Sequence, residues 1–157
     1  MFLYEVFPPE RIVMRLESEN KDEVFEELVD QFCQMEQING NVNILEALWE
    51  RESKMSTGVI RGVAIPHAQT PAAVKISGIL GISKRGIDYD ALDGQPVHLV
   101  FMIFAPPSDT ETYLGMLKRL AGLLENHQFI KELSSQNDPQ GVSGIIKKYE
   151  DSFVPAE

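Results

Sequence analysis

The sequence predicts an α/β fold: a single domain with a central mixed β-sheet flanked by helices. Three observations carry this. Val97 to Ala105 (VHLVFMIFA) is almost continuously apolar, as a central strand covered on both faces must be. Segments with apolar residues at helical spacing lie on either side of it in the chain. The Asp93-Gly94 turn ahead of it is too short for a parallel crossover, so the strands differ in direction. A chain of 157 residues with 43% hydrophobic and 24% charged residues can bury one real core and is not disordered. No repeat, low-complexity tract or linker divides it.

The elements follow in order. Pro8-Pro9 marks a turn, and Ile12 to Leu16 reads as a short strand. Ser18 to Asn20 offers a cap for a helix over Lys21 to Met35, with Val24, Leu28, Phe32 and Met35 on one face and acids in its first turns. Asn39-Gly40-Asn41 breaks that helix. Val42 to Ser53 forms a second, with Ile44, Leu45, Leu48 and Trp49 on its apolar side. Val59-Ile60 and Val63-Ala64-Ile65 are short extended runs, the second stopped by Pro66. Val74 to Ser83 reads as a strand ending at an Arg85-Gly86 turn. After the central strand, Pro106-Pro107 introduces a helix over Asp109 to Glu125 with a stripe of Leu114, Leu117, Leu120, Leu123 and Leu124. Gln128 to Ser134 and Gln140 to Tyr149 read as two further helices.

The net charge of −10 argues against a phosphate-tracking nucleic-acid surface and against a polybasic membrane footprint. No apolar run approaches the roughly 20 residues of a membrane span. The start, MFLYEVFPPERIV, lacks the basic and apolar regions of a signal peptide, and a single cysteine fits a reducing compartment. The expected location is the cytoplasm.

The three histidines, His67, His98 and His127, match no zinc spacing, and only Cys33 could add a thiol. His98 reads as a hydrogen-bonded histidine of the central strand. His127 reads as a cation at a helix end. Cys33 sits mid-helix beside Phe32 and reads as a small packed hydrophobe. His67 follows Pro66, whose ring restricts the backbone just before it, at the end of a strand-like run. Residue chemistry alone leaves a functional and a structural role equally open there. There is no G-x-S-x-G elbow, no Walker A loop and no G-x-G-x-x-G.

The run Arg51-Glu52, Ser56-Thr57-Gly58 and Gly62-Val63-Ala64-Ile65-Pro66-His67-Ala68, followed by Asp93-Gly94-Gln95-Pro96-Val97 and by Tyr113-Leu114, resembles the enzyme IIA domains of the fructose/mannitol class. These belong to the bacterial phosphoenolpyruvate-dependent sugar phosphotransferase system, and the class includes a nitrogen-related regulatory branch. The resemblance covers roughly residues 8 to 150, so the whole chain, 1–157, is expected to be one such domain.

The resemblance implies a phosphohistidine carrier. His67 would accept a phosphoryl group from an HPr-type phosphocarrier protein. It would pass the group to a IIB cysteine or hold it as a regulatory state, the nitrogen-type regulator being favoured over a sugar-specific component. Arg51 would stabilise the phosphoryl group, which a planar guanidinium fork suits. Thr57 would hydrogen-bond the phosphoryl group or the imidazole, a turn role being equally open. Tyr113 stands where many members carry a second histidine. A phenol can donate a hydrogen bond there but does not titrate near neutral pH. Expected partners are the HPr-type donor and a IIB domain or regulatory target proteins, with no cofactor, no metal and no nucleic acid. The alternative is a non-enzymatic regulatory module of the same fold that signals by protein contact. A metal-dependent hydrolase using His67 and His98 is a distant third.

Overall fold

A computed structural model describes residues 1–153. In chain order it comprises α1 (Leu3–Val6), a 3-10 turn (Pro9–Arg11), β1 (Ile12–Val13), α2 (Lys21–Glu36), α3 (Asn41–Lys54), β2 (Val63–Ala64), β3 (His67–Gln69), β4 (Ser77–Ile87), β5 (Val97–Ala105), a second 3-10 turn (Pro107–Asp109), α4 (Thr110–Leu124), α5 (His127–Ser135) and α6 (Pro139–Asp151). The sheet is mixed, as predicted, and β5 is central to it. β4 pairs antiparallel on one side, while β2 and β3 pair parallel on the other; β1 joins the outer side of β4 in parallel.

The apolar run of β5 is explained by its two covered faces. Leu99, Phe101, Ile103 and Ala105 enter a core shared with α1, α4, α5 and α6. Val100, Met102 and Phe104 enter a second core shared with α2 and α3. A strand with period two that is buried on both sides can alternate only between apolar and apolar.

The helix boundaries follow their caps. Asn20 accepts the Glu23 amide at 2.9 Å and opens α2. Asn126 accepts the Gln128 amide at 2.9 Å for α5, and Asp138 accepts the Gly141 amide at 2.6 Å for α6.

Several local expectations change. The first strand is shorter than Ile12 to Leu16, although the Leu16 amide still reaches the Ile82 carbonyl at 3.0 Å. β4 begins three residues later than expected, because Val74 is 91% exposed on the approach loop. It also runs through Arg85-Gly86, which forms an irregularity inside the strand and not its end. On α4 the buried stripe is Tyr113, Met116, Leu120, Leu123 and Leu124, while Leu114 is exposed. His127 opens α5, where the helix dipole disfavours a cation, and the cap is Asn126. α1 carries no sequence signal of its own; Glu150 of α6 holds it from a distance, accepting the Leu3 amide at 2.7 Å and the Tyr4 amide at 3.2 Å. Cys33 is buried in α2, as expected, and burial raises its thiol pKa.

Candidate functional site

The β2 and β3 edge of the sheet is interrupted at Ile65-Pro66. Pro66 has no amide to donate, but its carbonyl accepts from Ile103 at 3.0 Å, so the chain stays in register with β5. β2 pairs Val63 with Leu99, and β3 resumes with His67 opposite Ile103. The turn before β2 depends on Gly62, whose φ of +77° favours glycine and whose carbonyl accepts the His98 and Leu99 amides at 2.8 and 3.1 Å. His67 therefore opens a short strand, β3, where the sequence placed it at the end of one. It sits toward the C-terminal end of β5, at a sheet edge where both helical layers can reach it.

α3 packs on β3 from one layer and brings Arg51. Arg51 Nε donates to His67 Nε2 at 3.2 Å, and Arg51 Nη1 donates to the Met55 carbonyl at 2.9 Å. α4 brings Tyr113 from the other layer, its ring 6.1 Å from the imidazole centroid to centroid and tilted by 56°. The three residues border one cavity of about 390 Å³, together with Glu50, Lys54 and Leu114. His67, Arg51 and Tyr113, named from distant segments of the sequence, are thus brought together.

The imidazole tautomer follows from its partners. Nδ1 lies 2.7 Å from the Ile65 carbonyl, which can only accept, so Nδ1 carries the proton. Arg51 Nε can only donate, so Nε2 presents its lone pair. Burial lowers the imidazole pKa below its ordinary 6.5, and the Arg51 charge lowers it further, against the Ile65 carbonyl and Glu52. The ring is neutral at pH 7, with one nucleophilic nitrogen facing a cation. Burial raises the Tyr113 hydroxyl pKa far above neutrality, so the phenol remains a donor.

Thr57 serves a different set of neighbours. Its hydroxyl donates to Glu52 Oε1 at 2.6 Å and lies 2.7 Å from the Tyr89 hydroxyl, while its amide donates to Glu52 Oε2 at 2.9 Å. Its carbonyl accepts the Ile65 amide at 3.1 Å, two residues before His67. Thr57 is 3% exposed and acts on the backbone behind the imidazole.

Glu52, buried at the end of α3, also binds Lys21 Nζ at 2.9 Å and accepts from the Tyr89 hydroxyl at 3.2 Å. Burial raises its pKa, but the hydrogen bonds from Thr57 and Lys21 outweigh that and hold the carboxyl below the usual range. Sequence reading assigned no role to Glu52, Lys21, Tyr89 or Lys54. Lys54 carried a signal, lying three residues after Arg51 on the same helix face. Lys21 and Tyr89 carried none, being 31 and 37 residues from Glu52.

His98 is not part of this site. Its Nδ1 lies 2.9 Å from the Ser83 carbonyl. It sits five residues from Ile103 along β5, about 16 Å away by strand rise. Among the described residues no three His, Cys, Asp or Glu side chains converge to hold a metal ion. No described helix is long and apolar enough to cross a membrane.

A likeness to known proteins extends beyond the site motif. In the Bacillus subtilis "PTS system fructose-specific EIIABC component", 150 residues align at 36% identity, covering 96% of this chain but only 24% of that protein. The "Nitrogen regulatory protein" of Bradyrhizobium diazoefficiens is 33% identical over 146 residues, covering 93% of this chain and 95% of the relative. The crystal structure of nitrogen regulatory protein IIA-Ntr from Neisseria meningitidis superposes with a TM-score of 0.85 at 29% identity, covering 92% of this chain and 98% of that one. Residues 5–149 match the family model described as "Phosphoenolpyruvate-dependent sugar phosphotransferase system, EIIA 2", and the chain that holds His67, Arg51 and Tyr113 around one cavity belongs to that family.

Proposed function

We propose that this protein is a phosphohistidine carrier of the phosphotransferase system, with a regulatory use of the phosphorylated state favoured over dedicated sugar transport. The observation that carries the reading is the His67 environment: Nδ1 keeps its proton by donating it to the Ile65 carbonyl, and Nε2 is left nucleophilic beside Arg51. The Nε2 lone pair attacks the phosphorus of an HPr-type phosphohistidine. The Nε2–P bond forms as the donor N–P bond breaks, and the donor imidazole leaves with the electron pair. The Nδ1 proton stays on the ring, and its hydrogen bond to the Ile65 carbonyl stabilises the positive charge the ring acquires. Arg51 exchanges its bond to Nε2 for bonds to the incoming phosphoryl oxygens, and Lys54 adds charge at the rim. Tyr113 can donate its hydroxyl to a phosphoryl oxygen. Thr57 acts from behind, through Glu52 and the backbone at Ile65.

The regulatory preference rests on likeness to proteins named as nitrogen regulatory, which this chain covers over nearly their full length. A IIB cysteine or a regulatory target protein would be the recipient of the phosphoryl group or of its signal. Tyr113, in place of a second histidine, motivates the alternative of a non-enzymatic module acting by contact.

Intact-protein mass spectrometry after incubation with phosphoenolpyruvate, enzyme I and an HPr-type donor separates the two. A carrier gains one acid-labile phosphate, and His67→Ala gains none. Folded wild-type protein that gains no phosphate from a donor competent on another IIA protein overturns the carrier reading.

A further inference from the structure

The end of the sheet remote from His67 holds a second concave surface. There β4 and β5 fall out of register: Ile82 faces Leu99 and Ile87 faces Val97, so five steps along β4 match two along β5. The four residues Ser83 to Gly86 stand against His98 alone, with Ser83 buried and Lys84 and Arg85 exposed. The Gly86 amide donates to Ser83 Oγ at 3.1 Å, and the Ser83 carbonyl lies 2.9 Å from His98 Nδ1. Gly86 has φ of +92°, and a Cβ there would lie 2.9 Å from the Pro96 ring and 3.2 Å from His98, so a side chain is excluded twice over.

In a regular strand Lys84 and Arg85 would point to opposite faces. The bulge instead places both against one cavity of about 370 Å³. Arg15 joins them from the segment after β1, Met14 and Leu16 supply apolar lining, and Asn137 enters from the α5–α6 connection. The lining contains no carboxylate. None of the three cations forms an ion pair among the described residues, although the chain carries 24 acidic residues against 14 basic ones. Three like charges around one cavity repel, and an anion relieves the repulsion.

We propose that this cavity binds a phosphomonoester, a small phosphorylated metabolite. Arg15, Lys84 and Arg85 take the dianionic phosphate, for which the two guanidinium forks are suited. Met14 and Leu16 pack against the body of the molecule, and Asn137 offers it an amide. The volume suits a small ligand. The acidity of the rest of the surface opposes a nucleic acid. The site is independent of the phosphoryl chemistry at His67.

The test is a ¹⁵N–¹H correlation titration of the whole protein with glucose 6-phosphate, with inorganic phosphate and with glucose. Wild type and His67→Ala should both show saturable shifts with glucose 6-phosphate at the Ser83–Gly86 and Asn137 amides. The double variant Lys84→Gln/Arg85→Gln, folded by its own spectrum, should weaken binding about tenfold or more. Glucose should cause no saturable shift. Inorganic phosphate saturating at the same affinity overturns the assignment to an ester. Shifts that are absent, that persist in the double variant, or that centre on Arg51 and Lys54 overturn the site.

Discussion

His67 is held from two sides by partners whose hydrogen-bonding roles are not interchangeable. The Ile65 carbonyl takes the Nδ1 proton, and Arg51 faces the Nε2 lone pair. Replacing Arg51 by Ala should therefore slow phosphoryl acceptance by about 10²-fold and leave the melting temperature nearly unchanged, as a rate assay and a thermal melt would show. The depressed imidazole pKa sets a pH dependence. The group is neutral and competent above its folded pKa, so acceptance should persist below pH 6.5 and fall only at lower pH. Stability follows the same sign: the contribution is present above the unfolded-state pKa and is lost as pH falls through the folded one. An NMR titration of the His67 ring should give a midpoint below 6.5, moving upward in Arg51→Ala. His67 and Arg51 could be picked out because both lie in the stretch from residue 51 to residue 68 that carries the family resemblance. The orientation of the Thr57 hydroxyl was not, because its partners Glu52 and Tyr89 converge only in the folded chain.

The element behind the site is the end of α3, where Glu52 ties that helix to Lys21 of α2, to Tyr89 and to the Thr57 turn. Removing the carboxylate leaves Lys21, whose side chain is only 13% exposed, without its partner. Glu52→Ala should destabilise the protein by about 3–5 kcal/mol in chemical denaturation. It should also slow acceptance at His67 in protein that remains folded, because the Thr57 carbonyl positions Ile65. Among the strands, β5 was legible from a run of nine residues that only a doubly buried position explains. β3 was not, because His67-Ala68-Gln69 has no strand signal and is extended by pairing with Ile103–Ala105. On α4 the expected Leu120, Leu123 and Leu124 are buried, but at the start of the helix the stripe was placed one position late. Leucine marks helix and apolarity alike, and only packing shows that Tyr113 and Met116 face inward while Leu114 borders the cavity.

At the scale of the whole molecule, two helical layers cover one sheet, and the ends of the described chain meet. Glu150 of α6 caps the start of α1 and receives Arg119 Nη1 at 3.4 Å, while that same Nη1 donates to the Met1 carbonyl at 2.8 Å. Glu150→Ala should cost about 1–3 kcal/mol and raise hydrogen exchange at Leu3–Val6, with phosphoryl acceptance unchanged, since this anchor is separate from the contacts at His67. The sequence by itself determined the fold class, the central strand and the long helices, and through its family resemblance it singled out His67, Arg51 and Tyr113 as candidates. Those properties reside in side-chain type and local spacing. Only the tertiary structure decided the imidazole tautomer, the Glu52 network, the edge strand that carries His67 and the bulge that gathers Lys84 and Arg85 beside Arg15. Each of these arises from partners far apart in the chain, whose distance and direction are set by packing and strand register.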